Sequence, residues 1–106
     1  MVVKSARRYI TALDTILKSQ HNDITTKMVE FNDDNIEAIM LIFSIDTVQC
    51  FVVAYDYHDT VAYHVDGIDG VIEYKIGDNE THKHSIYTVL NRIYDLILKL
   101  DGDLKQ

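Results

Sequence analysis

The chain has 106 residues, 47% of them apolar and 25% charged, with a net charge of −7. These values exclude a disordered polyelectrolyte and leave room for one domain, residues 1–106, rather than two. The single cysteine, Cys50, has no partner for an internal disulfide, and the longest apolar run falls well short of the roughly 20 residues that a membrane span needs.

Ala6, Tyr9, Ile10, Leu13, Ile16 and Leu17 recur at helical spacing, with Lys4, Arg7, Arg8, Asp14 and Lys18 mostly off that stripe. This predicts an amphipathic helix ended by His21-Asn22-Asp23. The residues before it lack the apolar core of a secretory signal, and the stripe is that of a packed helix rather than a mitochondrial presequence. A reducing, cytoplasmic setting with no membrane partner is therefore expected.

From residue 25 the period changes to two. Thr25, Lys27, Val29 and Phe31 alternate with Thr26, Met28 and Glu30, and Asn32–Asn35 is rich in turn formers. Residues 36–45 are apolar on both faces, as a covered central strand would be. Asp46-Thr47 turns the chain into residues 48–57, and His58-Asp59 turns it into Thr60–Val65. The glycines of Asp66-Gly67-Ile68-Asp69-Gly70 read as one connection that permits a left-handed bend, followed by a strand over 71–76. Ile86, Val89, Leu90, Ile93, Ile97 and Leu100 then form a second helical stripe, with Ser85 as its N-cap and Gly102 just past its end. Short turns impose antiparallel neighbours. The expected fold class is α+β, an antiparallel β-meander of about five strands flanked by N-terminal and C-terminal amphipathic helices. Ile10, Leu13, Leu17, Leu41, Phe43, Phe51, Leu90, Ile93 and Ile97 are expected to share the core.

Residues 48–55 are apolar on both faces too, with Phe51, Val53 and Tyr55 on one side and Val48, Cys50, Val52 and Ala54 on the other. Either one helix covers each face of the sheet, or both cover one face and a second copy covers the other. A homodimer is the expectation.

Charge is segregated. Residues 1–20 carry four basic groups against Asp14, and residues 81–106 carry four against three acidic ones. Residues 21–80 hold thirteen acidic groups against Lys27 and Lys75, a local charge of −11. Such a surface repels nucleic-acid phosphates, so direct nucleic-acid binding is not expected, whereas a basic protein partner is attracted to it. Asp33, Asp34, Asp56, Tyr57, Asp59, Asp66 and Asp69 are the candidate partner-binding residues, because they sit in turns and strand ends. Spaced along a strand, such carboxylates have the reach to mimic nucleic-acid phosphates. The plainer reading is that acidic turns keep a small domain soluble.

Other chemistry is weakly marked. His82 and His84 would make two ligands of a metal site, with Asp78, Glu80, His58 or His64 as a third, but no spacing fixes the set. The Asp66–Gly70 segment lacks the alternating oxygens of a calcium loop. Cys50 lies in an apolar strand, poorly placed for a nucleophile, although His58 or His64 would be its nearest candidate bases. No phosphate loop, serine elbow or cofactor motif is present, so no cofactor, no metal and no catalytic residue are assigned. In size, acidity and helix–sheet–helix order the chain resembles small inhibitors and immunity proteins of phages and mobile elements, a likeness carried by no motif. The leading expectation is a non-enzymatic inhibitor or binding protein acting on a basic partner, itself one that handles nucleic acid. The alternatives are an assembly subunit that dimerises through a sheet face and a small enzyme built on Cys50 or the histidines.

Overall fold

The computed structural model describes residues 5–56, 58, 60–73 and 79–104, and the side chains of all of these except 79–82 and 101–104. The order is α1 (Ser5–Gln20), β1 (Thr26–Asp33), β2 (Ile36–Ile45), β3 (Val48–Tyr55), β4 (Thr60–Val65), β5 (Ile68–Glu73) and α2 (Asn79–Leu104). The five strands form one antiparallel sheet in sequence order, the α+β meander that the alternating period predicts.

Three of the hairpins close through two residues at positive φ: Asp34 and Asn35, Asp46 and Thr47, and Asp66 and Gly67. Turns with both central residues left-handed match the right-handed twist of the strands they join, and Asp, Asn and Gly tolerate that backbone best. The last of these turns corrects the sequence reading. Asp66-Gly67 alone reverses the chain, so Ile68, Asp69 and Gly70 belong to β5, which starts three residues earlier than expected. The remainder of the expected strand, 74–76, lies outside the described residues.

The helices stack side by side on one face, α1 over β2 and β3, α2 over β4 and β5, and they touch each other. That face supplies Leu41, Phe43, Val52, Val61 and Val65 to the core, where they meet Tyr9, Ile10, Leu13 and Leu17 from α1 and Ile86, Leu90 and Ile93 from α2. Burying each such side chain favours folding by about 1.5–3 kcal/mol. Phe51 is the exception among the expected core residues. Its parity in β3 matches that of Val53 and Tyr55, so it lies on the uncovered face, half-buried by its sheet neighbours.

The helix ends also differ from expectation. α2 begins at Asn79, so Ser85 lies within it, not at its N-cap, and its buried hydroxyl bonds the Tyr9 hydroxyl at 2.9 Å. At the other end α2 runs through Gly102 to Leu104. The Tyr94 hydroxyl donates to Gln20 Oε1 and meets a ring nitrogen of His21, which levels this turn of α2 with the end of α1. About ten residues of α2 therefore extend past α1, on the order of 15 Å.

Candidate interaction surfaces

Alternate turns of a meander fall at the same end of the sheet. The β1–β2 turn and the β3–β4 connection share one end, while the β2–β3 and β4–β5 turns share the other. Asp33 and Asp34 are exposed at the first end, and Asp66 is exposed at the second together with Asp46. Asp46 was absent from the sequence candidates. Its turn was recognisable, and the antiparallel order alone would have set it beside Asp66. Tyr57 and Asp59 lie outside the described residues. Among the described residues, no cation pairs with Asp34, Asp46 or Asp66.

Asp56 departs from its expected role. It is buried, and its Oδ1 accepts a hydrogen bond from the Ala6 backbone N–H at 2.9 Å. α1 has no acidic residue in its own first turn. The β3–β4 connection thus supplies both an acceptor for an otherwise unpaired amide and a negative charge at the positive end of the helix dipole. Asp56 is a structural cap and is not offered to a partner. The segregated charge of residues 21–80 is to that extent internal.

The face away from the helices is apolar and has no element of the described chain upon it. Three rows cross it in register. Val29, Met40, Val53, Ala62 and Val71 form the central row. Lys27, Ile42, Phe51, His64 and Asp69 lie on one side of it, and Phe31, Ala38 and Tyr55 on the other. Most of these side chains shield one another to half-burial, but Val71, on the edge strand, is 60% exposed. Charge is confined to the rim. Asp69 pairs with His64 Nδ1, while Gly67 N–H donates to His64 Nε2 at 3.1 Å. An Nε2 that accepts must carry the lone pair, so it is Nδ1–H that donates a hydrogen bond to the Asp69 carboxylate. On the same face, burial raises the Tyr55 hydroxyl pKa, and the hydrogen-bonded Asp33 carboxylate beside it adds to the effect.

A cavity of about 310 Å³ opens where the end of α1, the β2–β3 turn and α2 meet; Gln20, His21, Asp46, Tyr94 and the exposed Leu98 line it. Its polar groups are largely engaged with one another through Tyr94.

The remaining candidate chemistry is dispersed. Cys50 is wholly buried, and burial pushes its thiol up to about 11, so it stays protonated at neutral pH and is a poor nucleophile. His58 is exposed near Thr60, and His64 lies on the opposite face of the sheet from Cys50. His84 is exposed, whereas the side chains of Asp78, Glu80 and His82 lie outside those described. Among the described residues, no three His, Cys, Asp or Glu side chains converge on a point that would hold a metal. No described helix is long and apolar enough to cross a membrane. Comparison with protein families, curated sequences and solved structures yields no match.

Proposed function

We propose that the protein is a non-enzymatic binding protein that blocks a basic protein partner through the acidic ends of its sheet. The carrying observation is that Asp34, Asp46 and Asp66 sit exposed on three left-handed two-residue turns with no cation of the described chain to neutralise them. Charge on a short side chain at a tight turn acts over a Debye length of about 8–10 Å, so it accelerates encounter with an oppositely charged surface. Asp33 extends the first end. Asp69, held by His64, belongs to the rim of the open face and acts there. The protonated, buried Cys50 supports a binding role over a thiol enzyme.

The test compares the parent with the triple variant Asp34→Asn, Asp46→Asn, Asp66→Asn as baits for a host lysate. At low salt the parent is expected to retain a protein of basic isoelectric point, and to release it above about 0.5 M salt, where screening is nearly complete. The triple variant should melt at the same or a higher temperature, and should associate with that protein roughly tenfold more slowly. Equal association of both proteins, or capture indifferent to salt, would reduce the acidic turns to a solubilising surface.

A further inference from the structure

We infer that the open sheet face is the interface of a homodimer whose two-fold axis runs along β3. The inference concerns a different surface from the acidic turns and does not depend on them. Only another apolar surface removes the central row of Val29, Met40, Val53, Ala62 and Val71 from water, and the described chain has no further element to lay on it. The edges of the sheet are less suited to self-association. The described part of β5 carries Asp69 and Glu73, and β1 carries Lys27, Glu30 and Asp33.

Charge on the rim selects the occupant and its orientation. Lys27 is the sole Lys or Arg between residues 26 and 73, is exposed and has no ionic partner among the described residues. It lies at the β1 edge of the same transverse row that ends in Asp69 at the β5 edge. A two-fold parallel to the strands and above β3 lays β1 of one copy over β5 of the other at the same height. Lys27 then faces Asp69 of the second copy, and Asp69 faces its Lys27. Phe51 and Val53 meet their own symmetry mates. A two-fold running across the strands through the central row would instead set Asp69 against Glu73 of the second copy, like charge on like.

The size is adequate. Five strands about 4.8 Å apart and three side-chain rows span roughly 24 by 20 Å, so a face-to-face pair buries about 1,000 Å² in all. That is near the lower limit of specific interfaces, which calls for a dissociation constant of about micromolar order.

Sedimentation equilibrium at about 100 µM, well above such a constant, is expected to give twice the 12.2 kDa of the chain. Val53→Glu sets two carboxylates together on the axis and should leave a folded monomer, with circular dichroism verifying the fold. Lys27→Glu and Asp69→Lys should each weaken dimerisation about tenfold, because symmetry counts each reversal twice, and the double reversal should restore it. A parent that stays monomeric at that concentration overturns the proposal and leaves the face to a different protein. So does a dimer that survives Val53→Glu, or a double reversal that fails to recover.

Discussion

Asp56 stands fifty positions along the chain from the amide that it receives. Its value to the fold can be separated into a hydrogen bond and a charge. Asp56→Ala removes both and exposes an unpaired N–H at the start of α1, an expected loss of about 1–2 kcal/mol. For a domain of this size that lowers the melting temperature by roughly 4–16 °C. Asp56→Asn keeps an acceptor and should lose less; equal losses for the two variants would mean that the charge carries the whole effect and the hydrogen bond none of it. Cys50 gives the molecule an alkaline limit. Its thiol ionises near 9.0 when solvated and near 11 when buried. A pKa raised by folding stabilises the native state fully below the lower value, and that contribution is lost as pH climbs through the higher one. Two units correspond to roughly 3 kcal/mol, lost between about pH 9 and 11. Tyr94, raised by its own burial and then by the nearby Cys50, changes in the same direction. Thermal melts from pH 7 to 11 should therefore fall more steeply for the parent than for Cys50→Ala, and parallel curves would show that solvent reaches the thiol in the folded chain.

At the scale of the elements, the two glycines near β5 serve different purposes. Gly67 holds φ at +88°, which a left-handed turn requires. Gly70 lies in regular strand opposite Tyr63, and a Cβ built there would run into the Tyr63 ring. A tyrosine laid across a glycine on the neighbouring strand fills the space that the missing side chain leaves. Gly70→Ala should displace that ring from the core and cost about 1–3 kcal/mol. In a Tyr63→Leu background the same change should cost much less, a non-additivity that equilibrium denaturation of the four proteins would measure. Sequence alone could not separate these glycines, because a turn and a cross-strand ring contact both call for an absent Cβ. The strands and both helical stripes were legible, since periods of two and 3.6 survive any detail of packing. The cap from Asp56 was not, since it joins two elements whose proximity no local pattern encodes. The parity of Phe51 was legible, but which face the helices would choose was not.

The whole molecule is one-sided. Two helices share one face of the sheet, acidic turns mark both ends, and the apolar face stands open. The charge segregation could be read directly from the order of residues, whereas its division between two ends follows only from the meander. The same connectivity bears on how the chain comes to be made. Each hairpin of the sheet joins segments that are adjacent in sequence and can close as soon as it emerges. The start of α1 is anchored by residues 50 and 76 positions downstream, through Ala6 to Asp56 and Tyr9 to Ser85. At about 5–20 residues per second, the first helix waits on the order of 4–15 s before its last partner is synthesised. Until β2 and β3 emerge, the stripe of Tyr9, Ile10, Leu13 and Leu17 has no sheet to cover it, and its flank toward α2 stays open for the rest of the interval. The nascent protein thus carries the apolar stripe of its first helix uncovered until the strands beneath it are made, and that stripe is where a ribosome-bound chaperone would find it.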